Sequence, residues 1–495
     1  MAAYCGGGSA TLSPYYAITP FEGISSKVGN VQYSIGCQAH KLLPLLGPHL
    51  KTADGKTGVI FKAFTAPATN PERHPFDTIH LVDTYMYLSD YSHPALTEDL
   101  WWAEVEAFFT PETSGDFQFG LTVYGTGKLF LDDELLVDNE TKQRSGGSFF
   151  NVGTVEETGT KYLMAGRTYK LKVDFASGVA SRLADADGVV SFGGGGLRIG
   201  GARLINAQEE IEKAVLLAKT VDQVVLCVGL NSDWEQEGHD RSHMDLPGLT
   251  DDLIAAVSAV NRNIVVVVQS GTPISMPWEN SVAAVVQAWY GGNETGNAIA
   301  NILFGDVNPS GKLPLSFPVQ IEDNPAFLNY RSERGRVLYG EDTYVGYRFY
   351  EMTRKATRWP FGWGLSYTSF KMSKLRINFD SDGASNTLTI ILSVENIGVV
   401  DGAEVVQVYI SPRSPSIKRA PKELKGFAKT FIKKGSEDTV KVVIERKYAT
   451  SFWDEEMGKW IEESGTYDIL VGNSSANTPL KASFEVEETT WWSGL

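Results

Sequence analysis

The densest group of side chains that could do chemistry lies in residues 231–241, which read Asn-Ser-Asp-Trp-Glu-Gln-Glu-Gly-His-Asp-Arg. This segment holds two glutamates, two aspartates, one histidine and one arginine. A carboxylic acid held beside other charged groups can donate or accept a proton in a reaction. A solvated acidic turn has the same composition, so the segment alone leaves a catalytic and a merely structural interpretation open.

Metal binding is the other chemistry that this segment could supply. His239 and His243 are four residues apart, a spacing that places two imidazoles on one face only within a helix. Gly238 precedes the pair and Pro247 follows it, which favours a loop. We therefore predict no metal site here. The chain also lacks the GxGxxG and GxxxxGK[ST] spacings that cradle phosphates, so no cofactor is predicted.

The elements around this segment follow an α/β pattern. Apolar runs of strand length alternate with amphipathic helical patterns; the predicted strands are Val221–Leu230, Ile264–Gln269 and Val282–Trp289, and the predicted helices begin at Asn206, Asp251 and Asn297. Strands that are apolar on both faces and alternate with helices favour a parallel sheet covered on both sides. Functional loops of such sheets follow the carboxyl ends of strands, and residues 231–241 directly follow the first predicted strand.

Two β-rich regions surround this α/β pattern. Short alternating runs broken by Gly, Asp and Asn turns predict an antiparallel β-sandwich inserted into the α/β domain and a second β-sandwich at the end of the chain. The fold class is therefore multi-domain, α/β plus all-β, with a mostly parallel sheet. The predicted units are an α/β domain in two segments (1–50 and 208–328), the inserted sandwich (51–207), an extended linker (329–369) and the terminal sandwich (370–495).

Charge and hydropathy exclude several classes of protein. The 495 residues include 44 basic and 60 acidic side chains, a net charge of −16. Such an acidic chain has no basic stripe for nucleic acid and no polybasic patch for anionic lipids. Its longest strongly apolar run, Ile264–Val268, is far shorter than the roughly 20 residues that span a bilayer. We therefore expect neither nucleic acid nor a membrane as a partner.

The cysteines and the first residues bear on the compartment. Cys5, Cys37 and Cys227 are odd in number and widely spaced, which is not a disulfide framework. The first six residues show neither a basic nor an apolar stretch, so no secretory signal is seen. The cysteines favour a cytoplasmic location. A truncated start would hide a secretion signal, so a secreted protein stays the alternative.

Eight long motifs resemble glycoside hydrolase family 3 β-glucosidases. The α/β domain of that family and the linker after it are similar to CGGGSATLSPYYAITPFEGI, GLNSDWEQEGHDRSHMDLPG, QSGTPISMPW and QAWYGGNETGNAIANILFGDVNPSGKLPLSFP, followed by YRFYE…RWPFGWGLSYTSF. The terminal region, with VENIGVVDGAEVVQVYI and WDEEMGKWIEESGTYDILVGNSS, resembles the family's fibronectin type III-like domain. The inserted block, with SGDFQFGLTVYGTGKLFLDDELLVD, resembles a protective-antigen-like sandwich of a β-glucosidase subgroup.

The resemblance implies a retaining hydrolysis in which two carboxyl groups act on a terminal β-D-glucosyl residue. The family's acid/base precedes Gly-x-Asp-Arg, which maps it onto Glu237, with Glu235 as the rival; His239, Asp240 and Arg241 are expected to support it. A raised pKa is expected for the proton donor. The family's nucleophile is an aspartate of a preceding barrel domain, so the chain is expected to need that barrel and to be inactive alone. Asp233 matches the Ser-Asp-Trp of the nucleophile motif but lies in the acid/base loop, and we do not assign it that role.

Substrate and partners are less determined by these residues. Family members use the inserted sandwich to limit the aglycone side, so Phe149 or Phe150 is expected to form a sugar-stacking wall, although a core and surface pair is the simpler interpretation. The expected ligand is a β-glucoside or an oligosaccharide, and a β-xyloside is the nearest alternative. A non-catalytic carbohydrate-binding module is a rival function, and a homo-oligomer is left open.

Overall fold

A computed structural model describes residues 3–12, 14–183, 193–380 and 386–494. The helices are α1 (Pro20–Ser25), α2 (Ala207–Ala218), α3 (Thr250–Ser258), α4 (Thr295–Leu303), α5 (Tyr347–Thr353) and α6 (Arg446–Thr450). The strands before α2 are β1 (Leu50–Lys51), β2 (Val59–Phe64), β3 (Asp77–Leu81), β4 (Tyr85–Tyr87), β5 (Trp102–Phe109), β6 (Gly115–Tyr124), β7 (Thr126–Leu131), β8 (Glu134–Asn139), β9 (Glu157–Leu163), β10 (Tyr169–Ala176) and β11 (Gly196–Arg203). The later strands are β12 (Val224–Gly229), β13 (Ile264–Gln269), β14 (Ala284–Gln287), β15 (Phe370–Asp380), β16 (Thr387–Asn396), β17 (Gly402–Pro412), β18 (Glu423–Ile432), β19 (Glu437–Glu445), β20 (Phe452–Asp454), β21 (Lys459–Glu462), β22 (Gly465–Gly472), β23 (Leu480–Val486) and β24 (Thr490–Trp492).

The α/β part is built on a parallel sheet with the order β12–β13–β14. Ile264, Val266 and Val268 of the central strand β13 are fully buried, as expected for a strand covered on both faces. Asn206 caps the start of helix α2, because its side chain accepts two backbone N–H groups of the first turn. The predicted α/β architecture with a parallel sheet is confirmed.

Helices α1 and α4 cross at two glycines. A Cβ atom at Gly23 would lie 2.2 Å from the carbonyl oxygen of Gly296, and one at Gly296 would lie 2.0 Å from that of Thr19. Only glycine permits so close an approach of two backbones. The crossing holds the N-terminal segment beside the sheet. There the side-chain Nε2 of Gln269, the last residue of β13, donates to the Ala3 carbonyl oxygen over 2.9 Å.

An antiparallel β-sandwich separates the two parts of the α/β unit, as the sequence predicted. One sheet has the order β3–β2–β5–β10–β7–β8, with β1 also paired to β5, and the other has the order β4–β11–β6–β9. In β5 every second residue is buried, from Ala103 through Val105 and Ala107 to Phe109. This period-2 burial is the signature of a strand with one face on the core.

The terminal region is a second β-sandwich, confirming the predicted fibronectin type III-like architecture. Its two main sheets have the orders β15–β16–β19 and β18–β17–β22–β23, and β20–β21–β24 form a small extra sheet. A buried ion pair joins this domain to the α/β part, since Lys312 Nζ lies 2.8 Å from Glu404 Oε1. The linker is less extended than predicted: it contains helix α5, a two-turn element too short to show a helical period in the sequence.

Candidate active site

Residues 231–241 leave the parallel sheet at a glycine. Gly229 ends β12 with φ +147°, and a Cβ atom there would lie 1.9 Å from the carbonyl oxygen of Gln269. The backbone then turns, with the Asn231 carbonyl oxygen accepting the N–H groups of Trp234 and Glu235 at 3.0 Å. The segment is a loop at the carboxyl end of a strand, as predicted, and His239 does not lie on a helix.

Glu235 is the anchor of this loop. One carboxylate oxygen accepts the Gly271 N–H over 2.6 Å, and the carboxylate also accepts short hydrogen bonds from the hydroxyls of Thr272 and Tyr290. Burial, with the neighbouring Glu235 carboxylate as the next cause, raises the pKa of Tyr290. Arg241 reinforces the same contact, because its Nη2 lies 2.8 Å from both Thr272 Oγ1 and the Pro273 carbonyl oxygen. A carboxylate so fully bound is suited to holding the loop rather than to exchanging protons with a substrate.

Glu237 has the opposite environment. Its side chain is exposed, and its Oε2 accepts the backbone N–H of Ser9 over 3.0 Å. Hydrogen bonds from the Ser9 hydroxyl and from this N–H lower the pKa of Glu237 below its usual value of 4.5. The expectation of a raised pKa is therefore wrong for this chain, since the carboxylate is solvated and its charged form is the one that Ser9 stabilises.

The position of Glu237 can be checked by its titration in the 495-residue chain. We expect ¹³C NMR to place its pKa below 4.5 and the Ser9→Ala variant to raise it, because the hydroxyl bond to the charged form is lost. The contribution of this contact to the free energy of unfolding should be present above pH 4.5 and disappear as the pH falls through the folded-state pKa of Glu237. Ser34→Ala, in the same N-terminal segment, is the matched control. An equal pKa in the wild type and in Ser9→Ala would contradict the contact.

The three expected supporting residues reach three different parts of the molecule. His239 packs against the inserted sandwich, where a Cβ atom at Gly147 would lie 2.0 Å from His239 Nε2. Asp240 accepts the Tyr330 hydroxyl, and this bond raises the pKa of Tyr330. Arg241 binds the loop after β13 as described above. The loop is thus the meeting point of the sheet, the inserted sandwich and the linker.

The two phenylalanines expected to face a sugar differ sharply. Phe149 is 3% exposed and stacks on Tyr85 and Tyr87, with ring centroids 5.5 and 5.7 Å apart. Phe149 therefore cannot act as a sugar-stacking wall, because both neighbours occupy its ring. Phe150 is 37% exposed, and its Cδ1 would lie 3.8 Å from a Cβ atom at Gly238. Only Phe150 is both accessible and next to the loop of Glu237.

Sequence reasoning did not connect the N-terminal glycines with the acid/base loop. Gly8 has φ +69°, and a Cβ atom there would lie 2.5 Å from the Cβ of Glu237. The Gly7 N–H donates to the Glu235 carbonyl oxygen over 2.8 Å. The only signal in the sequence was the Gly-Gly-Gly-Ser run itself, and nothing in it specified a partner more than 200 positions away.

The described ranges contain neither a metal-binding cluster nor a membrane-spanning helix. No group of three or more His, Cys, Asp or Glu side chains in that part of the chain is arranged to hold a metal ion. None of the helices found there is long and apolar enough to cross a membrane.

Comparison with known proteins identifies two domains. Residues 1–367 match the model of the glycosyl hydrolase family 3 C-terminal domain. Residues 404–475 match the fibronectin type III-like domain.

Named relatives agree with these matches. The chain is 52% identical over its whole length to a protein from Aspergillus clavatus named probable beta-glucosidase I, of which it covers 59%. It is 49% identical to probable beta-glucosidase J of Emericella nidulans, covering 57% of that protein. The crystal structure of a beta-glucosidase from Kluyveromyces marxianus in complex with glucose is 40% identical and has a TM-score of 0.92, with 100% of this chain and 58% of that chain covered. The chain thus spans about three fifths of the length of the relatives that it matches, and it belongs to glycoside hydrolase family 3.

Proposed function

We propose that this chain supplies the acid/base part of a retaining β-glucosidase, with Glu237 as the acid/base residue. The observation that carries this proposal is the contrast between the two glutamates of the loop. Both oxygens of Glu235 are engaged by Gly271, Thr272 and Tyr290, whereas Glu237 is exposed and accepts its hydrogen bonds from Ser9. Glu237 can therefore face a substrate without dismantling the loop.

Retaining hydrolysis needs a second carboxylate about 5–5.5 Å from the first. In the proposed reaction that carboxylate, supplied by a barrel domain, attacks the anomeric carbon while Glu237 protonates the leaving oxygen. Glu237 then deprotonates the water that releases the sugar. A nearby negative charge and the loss of solvent both disfavour the ionised form of Glu237. Docking of the nucleophile domain would thereby raise the low pKa that Glu237 has in this chain.

The surface around Glu237 supports a docking partner. Large apolar side chains are exposed in the N-terminal segment that contacts Glu237, with Leu12 59% and Tyr15 103% exposed. Tyr330, which donates to Asp240 of the same loop, is 49% exposed, and Leu328 beside it is 91% exposed. Clusters of exposed apolar residues mark interaction surfaces. We place the barrel on this face, which would bury these side chains and bring its nucleophile to Glu237.

The names of the relatives support a proposal for the substrate class. Proteins about half identical to this chain are named beta-glucosidases, and the matched crystal structure contains glucose. We therefore propose terminal β-D-glucosyl residues of oligosaccharides or aryl glucosides as the substrate. Phe150 is proposed as a wall on the aglycone side, since it is exposed beside Gly238 and aromatic faces suit sugar rings.

Complementation tests the proposal. We expect the 495-residue chain alone to release no nitrophenol from p-nitrophenyl β-glucoside, because the proposed nucleophile belongs to the barrel domain, and to become active when co-expressed with a family 3 barrel domain. p-Nitrophenyl β-xyloside serves as the comparison substrate. The barrel expressed alone and the pair carrying Glu237→Gln are the controls. Hydrolysis by the isolated chain that Glu237→Gln abolishes would contradict the division of labour proposed here.

A further inference from the structure

Asp233 has no part in the proposed chemistry, yet it belongs to a buried ionic cluster. Its Oδ1 lies 3.9 Å from Nη2 of Arg198, which projects from strand β11 of the inserted sandwich. Nη1 of the same guanidinium binds Glu156 Oε1 over 2.8 Å. The side chains of Arg198, Glu156 and Asp233 are only 6%, 8% and 18% exposed. One cation therefore lies between a carboxylate of the sandwich and a carboxylate of the acid/base loop.

The sandwich contains a slot for the Glu156 carboxylate. Gly120 of β6 and Gly200 of β11 lie opposite each other on two neighbouring antiparallel strands. A Cβ atom at Gly120 would lie 2.6 Å from the carboxylate carbon of Glu156, and one at Gly200 would lie 3.0 Å from its Oε1. The two glycines therefore clear the space that this side chain occupies, and any other residue at Gly120 would displace it.

The cluster also fixes the chain that leads into the insertion. Glu156 Oε2 accepts the Leu43 N–H over 2.9 Å, and Arg198 Nη2 donates to the Leu43 carbonyl oxygen over 2.7 Å. The Glu156–Arg198 ion pair thus binds both the backbone N–H and the backbone carbonyl oxygen of Leu43. Burial raises the pKa of Glu156, and the Leu43 N–H and the Arg198 guanidinium oppose that shift.

The acid/base loop contacts the same stretch of chain. Trp234 Nε1 donates to the Ala39 carbonyl oxygen over 3.0 Å, and Lys41 Nζ lies 5.6 Å from the Trp234 ring centroid. His40 lies close to Asp233 and Arg198; burial lowers its pKa, and Asp233 opposes that shift. Asp233 and Trp234 therefore connect the loop to a junction that Arg198 and Glu156 hold rigid.

We infer that Asp233 is a positioning residue, through which Arg198 and Glu156 of the inserted sandwich hold the acid/base loop in place. The inserted sandwich would then fix the position of the loop, a role that we call the brace, besides forming a wall at the entrance of the site. Neutralising Asp233 or Arg198 removes the ionic contact between the loop and the sandwich, and neutralising Glu156 removes the carboxylate that holds the Arg198 guanidinium. The loop should therefore loosen when any of the three is neutralised. The effect on turnover rests on the proposed function, whereas the brace itself does not.

Hydrogen exchange of the 495-residue chain tests the brace without any catalytic assay. The amides of Trp234 and Glu235 bond to the Asn231 carbonyl oxygen, so their exchange reports opening of the loop. We expect Asp233→Asn and Arg198→Met each to speed this exchange about tenfold, and the double variant to exchange no faster than either single variant, since the residues act through one contact. Asp233→Glu, which keeps the charge, should retain most of the protection.

Controls separate the brace from a general loss of stability. Arg167→Met removes an exposed ion pair of the same sandwich with Asp132 and should leave loop exchange unchanged. If Arg198→Met fails to fold, Asp233→Asn decides, because Asp233 lies at the rim of the cluster. Wild-type exchange in Asp233→Asn, or multiplicative effects in the double variant, would overturn the inference. In the complemented enzyme we expect Asp233→Asn to lower kcat with little change in KM. If Asp233→Asn speeds the exchange but the complemented wild-type enzyme hydrolyses no glucoside, the result counts against the proposed function alone.

Discussion

Replacing Glu237 by glutamine is expected to lower kcat of the complemented enzyme about 10²–10⁴-fold, the usual contribution of a positioned general acid–base residue. The amide keeps the size of the side chain but cannot deliver a proton to the leaving oxygen or take one from water. Because Glu237 is exposed and its hydrogen-bond partner is Ser9, the substitution should leave folding intact. Steady-state kinetics on a β-glucoside with an alkyl or sugar leaving group measures the loss.

The size of this loss should depend on the leaving group. A nitrophenolate departs with little help from an acid, whereas a sugar alkoxide needs a full proton, so the variant should be less impaired on aryl glucosides at the first step. Glu212→Gln, on an exposed position of helix α2, is the matched control and should keep wild-type kinetics. Near-wild-type turnover of a disaccharide by Glu237→Gln would remove Glu237 from the proposed role. In that event a large loss in Glu235→Gln would transfer the role to Glu235.

Local patterns were sufficient to predict the framework that carries Glu237. Strand β13 was predicted to the residue, Ile264–Gln269, because a run of β-branched residues with no polar interruption suits only a buried strand. Strand β12 was predicted as Val221–Leu230 and found as Val224–Gly229, since turn residues blur the ends of elements. The loop after it was predicted from glycine and proline alone.

Features that depend on distant contacts were not predictable. The ring of Phe149 is buried against Tyr85 and Tyr87. To predict this burial, one must know that residues 85–87 form a strand of the same sheet as the residues around position 196. By composition alone, Glu235 and Glu237 are equivalent glutamates of the same loop. Their separation into an anchor and an exposed acid depends on Tyr290 and Ser9, which lie 55 and 228 positions away. Such pairings arise from the fold and leave no periodic trace in the sequence.

The contact between Gly8 and Glu237 should make Gly8→Ala strongly reduce the turnover of the complemented enzyme. A methyl group there would lie 2.5 Å from the Cβ of Glu237 and 2.8 Å from its backbone nitrogen, so the loop itself must move. A misplacement of about 1 Å can cost about 10²-fold in rate, and we expect a loss of that order in kcat of the complemented enzyme. The positive φ of +69° adds a conformational cost of about 1–2 kcal/mol for alanine.

Two control glycines separate the steric effect from the backbone strain. Gly29 has open space around it, and Gly55 has φ +84° with no atom within 4 Å. Gly29→Ala should change neither stability nor turnover, and Gly55→Ala should lower only the free energy of unfolding, measured by denaturant titration. If Gly8→Ala behaved like Gly55→Ala, with reduced stability but full turnover, the N-terminal segment would not position Glu237. A loss of kcat confined to Gly8→Ala is the expected result, because among these three sites only a methyl group at Gly8 would press on the acid/base residue.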